Sequence, residues 1–244
     1  MRAINHNARL TTATLLALLL GAYIFNADAN ADDLLENLSR VNGHIDVDDF
    51  QQVADVSTVN GSINIADGAS ARDVKTVNGS IELARDSEIA SARTVNGHIH
   101  VAPGSRVNGN LKTVNGGIQL HDNVTVRGAV TSVNGEIRLE SGALVGDKVS
   151  SSNGDINLDN ARISGDLSSR SGDVDLRRGS QVEGDLIIRE QRGWWNRLRL
   201  FGDKRYPRVT IDSSSGVSGD IHLHRRVELN IAEDARVGQV IRHY

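Results

Sequence analysis

The chain has 244 residues with 24 Gly, 2 Pro, no Cys and 3% aromatics, and carries 27 Lys+Arg against 31 Asp+Glu. The lack of Cys excludes disulfides, thiolate metal sites and Cys nucleophiles together. A net charge of −4 argues against general nucleic-acid binding, and so few aromatics argue against an ordinary globular core of this length.

Residues 1–31 read as a secretory signal peptide. Arg2 and Arg9 form the basic start, residues 10–25 are mostly apolar, and Ala29-Asn30-Ala31 is a small-x-small cleavage site. Cleavage after Ala31 places the protein in the periplasm or cell envelope. An uncleaved anchor is the rival reading, but its apolar run is short of the roughly 20 residues a bilayer needs. Residues 32–40 follow, with Leu34, Leu35 and Leu38 at helical spacing behind Asp32 and Asp33. Acids in a first turn suit the helix dipole, so this segment is expected to be a short helical cap.

Residues 41–244 are organised by Val-Asn-Gly. The triplet begins at Val41, Val59, Val77, Val95, Val114 and Val133, and Ser152-Asn153-Gly154 is a weakened copy. The steps are 18 or 19 residues throughout. A fixed step of this size marks a stacked repeat. Within one unit, Val77, Leu83, Ile89 and Val95 recur every six residues as inward candidates. Ile45, Ile63, Ile81, Ile99, Ile118, Ile137 and Ile156 each sit two residues before such a position. Alternation over three or four residues means a short strand with one buried face. Three strands per coil and no helix between them give an all-β, single-stranded parallel β-helix. About ten coils of 18–19 residues make a rod of roughly 45–50 Å. Asn before Gly favours a right-handed coil over the left-handed hexapeptide type. Gly is expected to supply positive φ at the corner, and the Asn side chains to stack as an amide ladder.

A second corner begins at Val107-Asn108-Gly109-Asn110-Leu111 and is spelled Gly-Asp-Leu or Gly-Asp-Ile at Gly165, Gly184 and Gly219. Its last step is 35 residues, one coil plus an insertion, so the β-helix continues beyond residues 190–205. The insertion is the compositional outlier. Residues 189–208 hold 7 Lys+Arg against 2 acids, and four of the aromatics: Trp194, Trp195, Phe201 and Tyr206. Together with Arg197, Arg199 and Arg205, these aromatics are the candidate partner-binding residues. Trp and Arg in combination suit an envelope glycan, a lipid headgroup or an acidic protein patch. The plainer reading packs the apolar side on the flank of the β-helix and leaves the Arg solvated. The C-terminal end has no comparable cap, and an open end of stacked strands can template end-to-end self-association. Ile241 and Tyr244 folding over that end is the alternative.

The Val-Asn-Gly-x-Ile-x-Leu units resemble the exported adhesin-like β-helix family of bacteria, of unknown function. The Gly-Asp-Leu/Ile corners are similar to those of bactofilins, the polymer-forming cytoskeletal β-helix proteins. The resemblance covers residues 41–240. It implies a right-handed helix and end-to-end filaments. The signal peptide departs from bactofilins, whose members are cytosolic, and puts a cytoskeletal role in doubt.

Other chemistry is sparse. Asp166, Asp185 and Asp220 fall in one column and suit either Ca²⁺ or plain solvation. His98/His100 and His222/His224 are i, i+2 pairs with no evident third ligand, and read as solvent-facing. No Ser-His-Asp order or phosphate loop is present, and no cofactor is implied. The expectation is a non-enzymatic exported structural or adhesin-like protein. The alternative is a carbohydrate-active β-helix enzyme of the lyase or hydrolase type.

Overall fold

In the computed structural model the described residues are 35–190 and 206–244. Among them all secondary structure is β, and every strand pairing is parallel. The signal segment, Leu34 and most of the insertion lie outside the described residues.

Each coil lays one strand on each of three faces. The first face is a ten-stranded sheet running from Ile45–Val47 to Glu228–Ile231. Its partners fall one repeat apart, as in Ile63↔Ile81, Ile81↔Ile99 and Ile118↔Ile137. The second face carries Ala71, Ile89, Val107 and Val126, and the third carries Val56, Val74, Leu111 and Val130. Ser70–Lys75 and Glu88–Arg93 run unbroken from the second face into the third, so these two faces count as one eighteen-stranded sheet. The expected ten-coil β-helix is therefore present.

The interior is a stack of aliphatic rows. Ile63, Ile81, Ile99, Ile118, Ile137 and Ile156 are all fully buried, each directly over the last. Burying each contributes roughly 1.5–3 kcal/mol. Branched aliphatics fill a coil this narrow, which accounts for the scarcity of aromatics. In the final coil Leu229, Ile231, Val237 and Val240 pack on the core but are only partly buried.

Three sequence expectations change. The helical cap is not found over its described C-terminal part, because Leu38–Asn42 is a strand paired with Val56–Asn60. Leu38-Ser39-Arg40-Val41-Asn42 is itself a copy of Val56-Ser57-Thr58-Val59-Asn60. An isolated helix of nine residues is unstable, whereas the edge of the next coil offers a complete ladder.

The second correction concerns the inward residue at the Val-Asn-Gly corner. Val41 is 49% exposed, and Val77 and Val95 are half-buried. The buried residue is the hydroxyl one place earlier: Thr58, Thr76, Thr94, Thr113, Ser132 and Ser151. Side chains in a strand alternate, so with Val56 inward, Thr58 is inward and Val59 is not. A buried hydroxyl needs a partner. Thr76 Oγ1 donates to Gly61 O at 2.8 Å, Thr94 to Gly79 at 2.8 Å and Thr113 to Gly97 at 2.9 Å.

The third is the reason for glycine. Positive φ at this corner is seen at Gly43 alone among the described glycines of the column. At Gly61, Gly79, Gly97 and Gly135 an added Cβ would lie 2.0 Å from the carbonyl oxygen of the glycine one coil before. Close approach of stacked backbones is what excludes a side chain. Positive φ occurs instead between the first and second faces, at Phe50, Gly68, Asp86, Gly104, Asn123, Gly142, Asn160 and Arg178.

The Asn ladder is as expected. Asn60 Nδ2 donates to Asn42 Oδ1 at 2.9 Å, and the chain of amides continues through Asn78, Asn96, Asn115 and Asn134 to Asn153 at 2.8–2.9 Å.

Candidate functional site

Of the residues singled out at the insertion, Trp194, Trp195, Arg197, Arg199, Phe201 and Arg205 lie outside the described residues. Tyr206 is described and is 40% exposed. The flanking strands are Leu186–Ile188 on the third face and Arg208–Ile211 on the first. Val174 pairs with Val209 and Ile188 with Leu223, so the coils on either side of the insertion stack directly.

A polar groove of about 530 Å³ lies on the outside of the first face. Arg138, Glu140, Asn157, Asp159, Asp175 and Arg177 line it, with Asp122 and Arg178 at one side. They come from four consecutive coils, so the groove runs about 14 Å along the stack. Outward positions of one strand recur at the same height in the next, which is how residues 18 or 19 apart become neighbours. Gln119 Nε2 donates to Glu140 Oε1 at 2.8 Å, and His121 Nδ1 lies 2.7 Å from Glu140 Oε2. Glu136 accepts from Arg138 at 2.7 Å and from Asn157 at 2.7 Å. Asp175 pairs with Arg177, and Asp159 with Arg178. Partial burial raises the Glu136 and Glu140 carboxyls. Hydrogen bonds and the nearby Arg138 and His121 charges outweigh it and hold both below the usual range. Such carboxylates accept hydrogen bonds, whereas a general acid needs a raised pKa. Asp175 Oδ1 is buried beneath the groove surface with no hydrogen-bond partner.

The aspartate column has a structural task. Asp166 Oδ1 accepts the N–H of Asp185 at 3.0 Å, and Asp185 Oδ1 that of Asp220 at 2.9 Å. Asp220 Oδ1 accepts the N–H of Gln239 at 2.9 Å. Each carboxylate staples the coil that follows.

The histidines divide. His98 Nδ1 accepts from the Gly117 N–H at 3.0 Å, another staple between coils. His222 and His224 are joined by His243, which the sequence did not point to. His222 Nδ1 lies 3.2 Å from His243 Nε2, and the His224 and His243 rings stack at 4.3 Å and 7°. Burial pushes the His224 imidazole below its usual value, and the neighbouring His243 and His222 add to this. Among the described residues no group of three His, Cys, Asp or Glu is arranged to hold a metal ion, since these rings stack instead of converging.

The groove residues went unnoticed in the sequence because nothing in a linear reading pairs Asn157 with Arg138 or Asp175. Tabulating outward positions by coil would have exposed the row Gln119, Arg138, Asn157, Asp175. No curated protein and no solved structure matches the chain. The profile of the Toastrack DUF4097 family, a β-solenoid repeat domain of unknown function, matches residues 88–242, more than half of the chain, and the chain belongs to that family.

Proposed function

We propose that this protein is a non-enzymatic, exported envelope protein: a stiff solenoid whose outer rows bind an envelope component, with a glycan the best fit. The observation that carries the reading is the first-face groove. It is elongated along the stack and lined by Asn, Asp and Arg from four successive coils, a shape suited to a linear polymer of hydroxyl-bearing units. Asn157, Asp159 and Arg177 on the groove wall supply donors and acceptors for such hydroxyls. The basic aromatic insertion, by its composition, suits a second contact with an envelope component, and the signal-like residues 1–31 support export. The adhesin-like resemblance agrees with this role.

Self-association through the ends is part of the proposal. The last coil leaves Leu229, Ile231, Val237 and Val240 half-covered and bears Arg225, Arg226, Arg236 and Arg242. The first coil bears Asp46, Asp48 and Asp49. The last coil also carries Glu228, Glu233 and Asp234, so its half-covered aliphatic edge, more than charge, is what it offers a second copy. The bactofilin-like corners lead to the same end-to-end arrangement.

One observation favours the enzymatic alternative: Glu140, Asp159 and Asp175 share the groove with three arginines. The two readings separate in one experiment. The mature chain is co-sedimented with purified cell-wall glycan, beside Asp175→Asn and a variant lacking residues 190–205, and the supernatant is assayed for released sugar. Sedimentation that either variant weakens, with no sugar released, supports the binding role. Sugar release lost in Glu140→Gln supports the enzyme. A mature chain that stays in the supernatant and releases nothing refutes both.

A further inference from the structure

On the outside of the third face one column changes character midway. The residue before Asn is valine at 59, 77, 95, 114 and 133, and then becomes Ser152, Arg170 and Arg189. Beside this change lies a recess of about 210 Å³, lined by Lys148, Ser150, Ser152, Ser168, Arg170 and Arg189, with Asp166 at its rim. It faces away from the first-face groove and is built entirely of described residues.

What sets these cations apart is that three of them line one recess; single cations without an ion pair among the described residues, such as Arg85, Arg106 and Arg127, occur elsewhere on the surface. Arg138, Arg177, Arg178 and Arg208 each have a carboxylate partner. Lys148, Arg170 and Arg189 form no ion pair among the described residues. Arg170 and Arg189 occupy equivalent places one coil apart, about 4.8 Å in backbone spacing, and like charges so close call for an anion. The Arg170 Nε is buried with no hydrogen-bond partner, and so is the hydroxyl of the adjoining Ser171. A buried unpartnered guanidinium N–H is costly in an unliganded protein. Other contacts keep the site in shape. Arg189 Nε donates to Ser168 Oγ at 2.9 Å, which fixes the guanidinium and leaves its outer nitrogens free. Arg225 Nη1 donates to the Arg170 carbonyl at 2.9 Å and anchors the backbone beneath. The one acid, Asp166, spends an oxygen on the Asp185 N–H.

We propose that Lys148, Arg170 and Arg189, with the hydroxyls of Ser150, Ser152 and Ser168, form a binding site for a phosphoryl group. Two guanidinium forks and an ammonium match the charge and the several acceptor oxygens of a phosphate monoester. The recess is smaller than the roughly 300–1,000 Å³ of sites for drug-sized ligands. It accommodates a phosphate with a few attached atoms and leaves the rest of the ligand outside. The phosphate could belong to a soluble ester or to a lipid headgroup. The site is separate from the proposed groove, which lies on the first face.

The test is calorimetric titration of the mature chain with inorganic phosphate at low salt. Alongside it, binding is measured to phosphatidylcholine vesicles with and without phosphatidic acid. The key variant is Arg170→Val with Arg189→Val, which restores the residue that earlier coils carry and so keeps the fold. The double variant should bind at least ten-fold more weakly and melt no lower than the parent, because a repulsive pair has been removed. Lys148→Gln, at an exposed position, should weaken binding several-fold and serves if the double variant misfolds. Phosphate binding without vesicle binding assigns a soluble ester. Vesicle binding that depends on phosphatidic acid and is lost in the variants assigns the lipid headgroup. No binding to either probe, or binding that the variants leave intact, overturns the proposal.

Discussion

Gly97→Ala is a sharp test of how the coils are held. Its added Cβ would sit 2.0 Å from Gly79 O and 2.5 Å from Gly79 C. That carbonyl cannot simply swing away, since it accepts the Thr94 hydroxyl at 2.8 Å. Relief requires the two coils to part by more than an ångström at this corner. Overpacking of this kind costs about 1–3 kcal/mol. Losing the Thr94 bond adds about 1 kcal/mol. The flanking Asn78–Asn96 amide bond, 2.8 Å long, is strained by the same movement. The expected loss is about 2–4 kcal/mol in urea-induced unfolding followed by circular dichroism. Gly97→Asn is the control. Asn tolerates positive φ, so it would be mild if glycine served φ, but it carries the same Cβ and should be as harmful as Ala. Gly142→Asn, at the corner where Asn123 and Asn160 already adopt positive φ, brings its Cβ 2.4 Å from the movable Asn123 side-chain oxygen and not onto backbone, so it should cost less than Gly97→Asn. If Gly97→Ala falls within about 0.5 kcal/mol of the parent, or Gly97→Asn is clearly milder, steric stacking is not the reason for the glycine column.

Thr94→Val keeps the shape but leaves the Gly79 carbonyl without its hydroxyl donor, and should cost about 1–2 kcal/mol; an unchanged urea midpoint would contradict the seam. Asp185→Ala removes the acceptor of the Asp220 N–H and should cost about 1–2 kcal/mol. Asp185→Asn should be tolerated, because Asn110 Oδ1 already does this work for the Ala129 N–H at 2.8 Å, and Ca²⁺ should leave the melting temperature where it was. The C-terminal coil should weaken in acid. His224 has a folded pKa below its usual 6.5, pushed down by burial and by His243, His222 and Arg189, with Glu190 opposing. The unfolded chain therefore takes up the proton first. The stability is present above pH 6.5 and is lost as pH falls through the folded value. Amide exchange at residues 221–223 and 240–242 should quicken over that range, and His224→Gln should abolish the change. Asp212 acts lower down. Burial raises it, but hydrogen bonds from Ser215, the Arg178 N–H and Ser214 bring it from 3.8 to about 2, so its contribution fades as pH drops below 3.8.

The step of 18 or 19 residues was open to plain reading, and with it the coil, the ten-fold stack and the Asn ladder. Repetition states which residues are equivalent, and in a stack equivalent residues are neighbours. It also showed that the insertion interrupts the chain without ending the column, since the corner spelling resumes at Gly219. What repetition does not state is the phase of the pleat. Val and Thr before Asn-Gly are equally periodic, and packing alone decided that Thr94 faces inward while Val95 does not. Nor does it distinguish two uses of glycine, because a 2.0 Å approach to the coil before leaves no mark within the triplet. The helical spacing of Leu34, Leu35 and Leu38 was real, yet Leu38–Asn42 took the ladder that Val56–Asn60 offered. The groove, the third histidine and the unpaired Arg170 belong to the same class. Each depends on side chains that are remote along the chain and adjacent across a parallel sheet, so their partners, burial and charge balance arose only once the coils were laid on one another.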